Sequence, residues 1–257
     1  MLIELEAIDL ALTVILMVIA ISLSRWQKLG LEGSLFISAG RSILQLAVVG
    51  YLLELVFTLE TVWGVLGVIL VMLVMATFVT RNRVSQKLSR LFWIASGSLL
   101  LTTGLTLSYV ILLIIQPPTW YDPQYVIPLA GIILGNAVNG ATIAGERLVS
   151  SLENNRGEIE THLSLGATPE GAIALYRRQA IRAGILPNVN QMALVGIVTL
   201  PGILTGQLLG GVNPLNAVSY QILILFTLAL ANLLATSLMT AGIYRQFFTP
   251  QAQLKWK

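Results

Sequence analysis

The sequence predicts an all-α, polytopic membrane protein with about seven transmembrane helices. Of its 257 residues 56% are hydrophobic and only 11% are charged, and its mean hydropathy is +0.82. Soluble domains carry roughly a quarter charged residues. Because the shortage of charge extends along the whole chain, we expect one transmembrane domain over residues 1–257 and not a soluble domain with an anchor.

Seven apolar stretches are each long enough to cross about 30 Å of hydrocarbon, which takes about 20 helical residues. They lie near residues 5–24, 35–57, 61–80, 91–115, 125–147, 188–210 and 218–243. We expect each of them to form one membrane-spanning helix, in a single antiparallel series.

Lysine and arginine residues predict the orientation of these spans. The connections near Glu60 and in "QPPTWYDPQ" and "GGVNPLN" contain neither residue. The basic residues instead follow spans one, three, five and seven: Arg25, Lys28, Arg81, Arg83, Lys87, Arg90, Arg147, Arg156, Arg177, Arg178, Arg182, Arg245, Lys255 and Lys257. The positive-inside rule therefore predicts an N-terminus outside and a C-terminus inside.

This topology leaves one long cytoplasmic segment, residues 148–187. Leu148, Leu152, Ile159 and Leu163 recur on nearly one helical face. Span five is therefore expected to run on into the cytosol as a helix, with residues 154–157 as its weak point.

A bend and a second helix are predicted to follow. Gly166 is a natural C-cap for the first helix, and Thr168-Pro169 is a typical helix start, with threonine as N-cap and proline at the first helical position. Gly184 and Pro187 are expected to end the second helix. Two interpretations of this helix pair are open: a solvated connector, or a docking element for a soluble partner.

Sequence motifs favour the docking element. The stretch Glu160–Gly166 keeps the glutamate and the glycine of an E-A-A-x-x-x-G pattern but lacks its alanines. In ATP-driven importers and exporters of bacteria, a short cytoplasmic helix that often carries this pattern couples the membrane subunit to an ATPase.

Longer stretches resemble the iron-export ABC permease family, to which plant ABC membrane subunits linked to aluminium tolerance are similar. They are "GRSILQLAVVGYLL", "LGNAVNGATIAGERL", "EIETHLSLGATPEGA" and "LPNVNQMALVGIVTLPGILTGQLLGGVNPLNAVSYQI". The resemblance covers most of residues 35–245.

The resemblance implies a permease subunit, working as a homodimer in a bacterial cytoplasmic membrane with a separately encoded ATPase. No G-x-x-x-x-G-K-[ST] phosphate loop occurs in the sequence, so we expect no enzymatic activity here, with ATP and Mg²⁺ bound by the partner and no nucleic acid involved. The candidate ATPase-coupling residues are Glu158, Glu160, His162, Leu163, Leu165, Gly166, Ala167, Thr168 and Pro169.

Polar residues inside the predicted spans are candidates for a translocation path, because such residues face protein or water and not lipid. Pro201 and Gly202 in span six are expected to break or kink that helix near mid-membrane. The candidates are Arg41, Gln45, Asn136, Asn139, Glu146, Gln191, Thr199, Pro201, Thr205 and Gln207. The asparagines of span five either line a pore or bond neighbouring helices.

Two further predictions concern contacts between spans. Arg41 and Glu146 lie at similar depth, so either they interact or Arg41 extends to the inner interface. Glycines at helical spacing in spans five and six predict close helix packing; they are Gly131, Gly135, Gly202, Gly206 and Gly210.

The cargo stays open between iron, another metal and a sugar nucleotide. There is no cysteine and only one histidine, His162, so thiolate and multi-histidine metal sites are excluded within one chain. Acidic residues predicted to lie outside suit hard cations; they are Glu6, Asp9, Glu54, Glu60 and Asp122. A secondary transporter and a non-transporting membrane scaffold are the alternative functions.

Overall fold

The computed structural model describes residues 7–59, 61–85, 88, 90–249 and 253–254, and within them the regular secondary structure is helical apart from two isolated β-bridges. Glu6, Glu60, Lys87, Lys255 and Lys257 of the predictions above lie outside the described residues. The helices are α1 (Ala7–Trp26), α2 (Glu32–Leu59), α3 (Val62–Val84), α4 (Leu91–Tyr109, continued by a π-helical segment Val110–Ile115), α5 (Pro123–Asn154), α6 (Arg156–Ser164), α7 (Pro169–Leu194), α8 (Gly202–Leu209) and α9 (Pro214–Phe247).

Five of the described helices are long and apolar enough to cross a membrane. They contain Glu32–Glu54, Val62–Val84, Leu91–Ile115, Pro123–Asn154 and Pro214–Phe247. In α1 the apolar part described, Leu12–Trp26, is shorter. The prediction of an all-helical membrane protein is confirmed, whereas the predicted number of seven spans stays a prediction.

The sixth predicted span, residues 188–210, is broken and is not one continuous helix. Helix α7 ends at Leu194, an irregular segment follows, and α8 begins only at Gly202. Gly196 has a φ of +80°, which non-glycine residues rarely adopt. Pro201 is the extended N-cap of α8 and not a mid-helix kink, and it disfavours helical geometry at the residue before it.

Helix α7 does not stop at Gly184 and Pro187, so that prediction is wrong. A Cβ at Gly184 would lie 2.6 Å from the Gly140 carbonyl oxygen and 2.8 Å from Thr236 Cγ2. Glycine therefore serves close helix packing here and not chain termination. Proline is tolerated inside helices of membrane proteins, because neighbouring helices satisfy the backbone groups that it leaves without a partner.

The main core lies where α5, α7 and α9 meet α3 and α4. Leu148, Leu152 and Ile159 are fully buried in it, and Leu163 packs against it, so the face predicted for residues 148–163 is confirmed. The helix breaks at Asn155, within the predicted weak point. Helix α6 therefore packs against the bundle through Ile159 and Leu163.

The ends of α3, α5 and α9 and the start of α4 lie at one end of the bundle. A Cβ at Gly145 would lie 2.8 Å from Val84 Cγ2 and 3.2 Å from Ile243 Cδ1. The amide of Arg90 donates a 3.3 Å hydrogen bond to Gln246 Oε1. We call this the basic end, because Arg81, Arg83, Arg90, Arg147, Arg156 and Arg245 belong to its helix termini.

Candidate functional site

A polar cavity of about 450 Å³ lies between α5, α7 and α9, close to the basic end. Its lining is rich in carboxamides, which is unusual among helices as apolar as these. It is lined by Arg83, Asn136, Asn139, Gly140, Thr142, Ile143, Glu146, Gly184, Pro187, Asn188, Gln191 and Asn232. Four of the predicted path residues, Asn136, Asn139, Glu146 and Gln191, therefore line one cavity. Their role in transport stays a prediction.

Two glycines bring the three helices together at this cavity. A Cβ at Gly140 would lie 1.5 Å from Asn232 Oδ1, and one at Gly184 would lie 3.1 Å from Ala144 Cβ. A Cβ at Gly184 would also lie 2.6 Å from the Gly140 carbonyl oxygen, closer than real Cβ atoms approach, so this packing favours glycine at both positions. Small residues allow such contacts between helices in a membrane.

Two asparagines join α7 to α9 by reciprocal hydrogen bonds to backbone. Asn188 Nδ2 on α7 donates to the carbonyl of Leu228 on α9 at 3.2 Å. Asn232 Nδ2 on α9 donates to the carbonyl of Gly184 on α7, also at 3.2 Å. Both side chains are buried, with 6% and 2% exposure. The two bonds set the register between the helices, because sliding one helix past the other would lengthen both.

Two buried acceptors of the cavity have no partner within the described part of the chain. They are Asn232 Oδ1 and Thr142 Oγ1, and Thr142 is only 4% exposed. Leaving such a group unsatisfied costs about 1–3 kcal/mol. A solute or water that donates hydrogen bonds is therefore favoured in this cavity.

The charged residues of the cavity are Arg83 and Glu146, both exposed at its rim. Among the described residues no ion pair joins Glu146 to Arg41, so the structure does not form the predicted pair. Arg41 and Gln45 are exposed on α2 and do not line the cavity. The other alternative for Arg41, extension of its side chain to the inner membrane interface, stays a prediction.

The predicted path residues beyond α7 also lie outside the cavity. Thr205 Oγ1 donates to the carbonyl of Pro201 at 3.2 Å, which stabilises the start of α8. The carbonyl of Thr199 accepts from the amide of Gly196 at 3.0 Å. Gln207 Oε1 is buried and has no partner in the described chain. These residues shape the α7–α8 break.

The glycines predicted for helix packing are mostly open in the single chain. A Cβ at Gly135, Gly202 or Gly206 would meet no atom within 4 Å, and one at Gly210 would meet only backbone oxygens of residues 206 and 207. A Cβ at Gly131 would lie 3.1 Å from Met72 Cε on α3. The tightly packed glycines are instead Gly140, Gly145, Gly184 and Gly242.

The second candidate site is the elbow, by which we mean residues 156–170. Gly166 has a φ of +88°, and the amide of Ala167 donates to the carbonyl of His162 at 3.0 Å, so glycine ends α6 as predicted. Thr168 Oγ1 accepts from the amide of Gly171 at 3.1 Å, and Pro169 follows at the first position of α7. The predicted cap and helix start are confirmed.

The elbow has a packed face and an exposed face. Ile159 is fully buried, whereas Leu165 at the tip is 80% exposed. Arg156 Nε donates to Glu160 Oε1 at 2.7 Å, and His162 Nε2 lies 3.8 Å from Glu158 Oε1. The exposed face thus combines charged pairs with one exposed leucine.

Side-chain contacts hold α7 against α9 beside the elbow. The Tyr244 hydroxyl donates to Glu170 Oε1. Arg177 Nη2 donates to the carbonyl of Ser237 at 3.4 Å, and its guanidinium lies 5.7 Å from the Tyr244 ring centroid. Next to them, burial raises the pKa of the Tyr176 hydroxyl to about 12, helped by its hydrogen bond to Glu158 and by that carboxylate's charge. Tyr176 therefore stays a neutral hydrogen-bond donor at physiological pH.

Carboxylates do not gather into a metal site in the described residues, where no cluster of three His, Cys, Asp or Glu occurs. Asp122, one of the predicted outer acids, is the N-cap of α5 and accepts from the amide of Gln124 at 3.0 Å. It therefore has a structural role.

Sequence reasoning missed Asn188, Asn232, Gly140 and the packing role of Gly184. One signal was available: an asparagine in the middle of the apolar span 218–243 is costly unless it faces protein or water. The partners of that asparagine follow only from the register between α7 and α9.

The fold and this site define a polytopic helical membrane protein in which a polar cavity and a capped elbow share one helix. A family model described as "Uncharacterised protein family (UPF0014)" matches residues 7–248. The chain belongs to this family and is an integral membrane protein, so the predicted membrane location is confirmed.

Relatives from bacteria and plants match almost the whole chain. The UPF0014 membrane protein slr1647 of Synechocystis is 52% identical over 98% of each chain. The "Probable iron export permease protein FetB" of Escherichia coli is 34% identical over 96% of this chain and 93% of its own. The protein ALUMINUM SENSITIVE 3 of Arabidopsis thaliana is 31% identical over 95% and 88%.

These relatives confirm the resemblance to iron-export permeases and plant aluminium-tolerance proteins. No solved structure matches the chain.

Proposed function

We propose that this chain is the membrane-spanning permease subunit of an ATP-driven ABC transporter that exports a metal ion, with iron as the first candidate. A relative named as a probable iron export permease matches nearly the whole chain, which supports both the transport class and the cargo. A separate ATPase subunit binds ATP and Mg²⁺ and docks on the elbow.

One observation carries this proposal: a single helix connects the elbow to the polar cavity. Helix α7 begins at Pro169 in the elbow and runs unbroken past Gly184, Asn188 and Gln191 of the cavity lining. Its 26 residues extend about 39 Å at 1.5 Å per residue. A displacement applied to the elbow is therefore delivered directly to cavity residues.

The contacts of α7 with α9 define how such a displacement acts. The pairs Glu170–Tyr244 and Arg177–Ser237 hold the elbow half of α7, while Asn188 and Asn232 hold the cavity half. Packed helices exchange between discrete arrangements more readily than they deform. Movement of α7 as a unit breaks both asparagine bonds together and releases donors and acceptors into the cavity.

The basic end supports the orientation in which this coupling works. Its arginines favour the cytoplasmic side, so the elbow faces the ATPase, with the N-terminus outside and the C-terminus inside. Positions open in one chain, such as Gly135, Gly202 and Gly206, suit contact with a second copy in a homodimer.

The test is reconstitution of the chain with its ATPase subunit in lipid vesicles, measuring ATP turnover and iron movement. Iron, other metals and sugar nucleotides are compared as cargo. We expect iron to stimulate turnover and to be transported only with ATP. Iron movement without the ATPase would indicate a secondary transporter. Failure of the chain to associate with an ATPase would favour a non-transporting membrane scaffold.

Variants of the elbow separate coupling from folding. Because Leu165 is 80% exposed, Leu165→Asp should leave the melting temperature within about 2 °C of the original while lowering iron-stimulated ATP turnover at least about tenfold. The matched control is Leu175→Asp, which alters a leucine 59% exposed on α7 beyond the elbow. Equal losses in both variants would contradict docking at the elbow tip.

A further inference from the structure

A second depression on α7 faces away from the polar cavity and has a different chemistry. We call it the basic groove; its volume is about 470 Å³, and it is lined by Arg178, Ile181, Arg182, Ile185, Leu186 and Val189. All six lining residues come from one helix. Two arginines at one end and aliphatic side chains at the other give the groove a charged part and an apolar part.

The two arginines are close and uncompensated. Arg178 and Arg182 are one helical turn apart and both exposed, and like charges at this spacing destabilise a helix. In the described part of the chain neither forms an ion pair. Glu170, which lines the adjoining depression with Arg177 and Arg178, already accepts the hydroxyl of Tyr244. An anion held between the two guanidinium groups would remove the repulsion.

The groove lies across the edge of the apolar spans. Gly184 packs at the level of Ala144, and Gly145 packs at the level of Val84, where α3 ends. Arg182 precedes Gly184 by two residues and Arg178 precedes it by six, about 3 and 9 Å toward the basic end. Val189 lies about 7 Å in the opposite direction, among the apolar spans.

We propose that the basic groove binds an anionic phospholipid, with its phosphate on Arg178 and Arg182 and its acyl chain along Ile185, Leu186 and Val189. Charge selects an anion, and the aliphatic half distinguishes a lipid from a free phosphate. Arginine suits the phosphate because its planar fork donates two parallel hydrogen bonds. The lipid holds α7 at the membrane edge, between the elbow and the cavity.

The test is native mass spectrometry of the full chain in a non-ionic detergent containing equal amounts of phosphatidylglycerol and phosphatidylcholine with the same acyl chains. We expect the original chain to retain phosphatidylglycerol over phosphatidylcholine by about thirtyfold, since two basic residues near a membrane surface together contribute about 2 kcal/mol of attraction to anionic lipid. The double variant R178Q/R182Q should retain both lipids about equally. The control R147Q/R245Q, which removes two exposed arginines elsewhere on the basic end, should keep the preference.

A thermal-unfolding series separates the sources of the anion. Phosphatidylglycerol should raise the melting temperature of the original chain more than phosphatidylcholine does, and glycerol 3-phosphate should not reproduce the effect. An equal rise with glycerol 3-phosphate would overturn the lipid assignment in favour of a soluble phosphate.

Other outcomes would also overturn the proposal. One is equal retention of both lipids by the original chain. This measurement does not depend on whether any variant folds. Another is loss of a dimer in R178Q/R182Q with no change in lipid preference, which would make the groove an interface between two copies. Should R178Q/R182Q aggregate, R178K/R182K keeps the charge and is expected to keep part of the preference.

Discussion

Helices α5, α7 and α9 differ sharply from helices α1 and α2 in how much of their surface the chain itself covers. Half of the most apolar window of α5 is buried inside the chain, but none of the corresponding window of α2 is. In α1 the buried side chain described is that of Ser24. The first group is built to hold a geometry within the chain, and the second presents its faces to lipid or to another subunit.

The difference explains where the polar groups lie. Asn188, Asn232 and Thr142 are buried among α5, α7 and α9, whereas Arg41 and Gln45 are exposed on α2. A polar side chain in the first group acts on the cavity or on helix register. A polar side chain on α2 instead contacts the lipid or the subunit that covers this helix.

The largest expected effect compares two glycines. Gly184→Ala places a Cβ 2.6 Å from a backbone oxygen, so α7 must move from α5, and we expect a loss of about 2 kcal/mol in the free energy of unfolding. Gly50→Ala on α2 meets no atom within 4 Å and should be neutral or stabilising by up to about 1 kcal/mol. Unfolding in detergent, followed by circular dichroism, measures both. Equal effects would remove the distinction between the two groups of helices.

A smaller effect is expected from removing a hydroxyl. Thr168→Ala deletes the N-cap of α7, which accepts from the Gly171 amide, and should cost about 1 kcal/mol. Ser42→Ala on α2 removes a hydroxyl that bonds only its own helix, to the carbonyl of Ala39. That change should stay within about 0.5 kcal/mol. The same unfolding measurement decides, and a cost for Ser42→Ala as large as that of Thr168→Ala would contradict the comparison.

The smallest effect is the coupling between the two asparagines. Asn188→Ala and Asn232→Ala each remove one bond between α7 and α9, and such bonds in membrane proteins average about 0.6 kcal/mol. Because either loss lets the helices shift, the double variant should cost less than the sum of the single ones. Gln45→Ala, an exposed amide on α2, serves as control. Strict additivity would mean that the two bonds do not set a common register.

Local signals predicted the local structure well. Gly166, Thr168 and Pro169 specify their caps through backbone geometry and short hydrogen bonds, which depend on neighbouring residues only. The helical spacing of Leu148, Leu152 and Ile159 likewise predicted the buried face. These features follow from the chain within about ten residues.

Features set by distant contacts were predicted less well. Gly184 and Pro187 have the composition of a helix end, but packing against Gly140 and Thr236 keeps the helix intact. The span over 188–210 was predicted from hydropathy, which carries no information about the positive φ of Gly196. The cavity was found only in part, because nothing local connects Asn232 with Gly184.

The length of α9 has a consequence for how the protein sits in different bilayers. Its 34 residues extend about 51 Å, while the hydrocarbon layer is about 30 Å thick. Helices with surplus length adapt to a thinner or thicker bilayer by tilting or sliding at modest cost. Because the elbow is fastened to α9 through Tyr244, such hydrophobic mismatch changes the depth of the bundle without separating the elbow from the cavity.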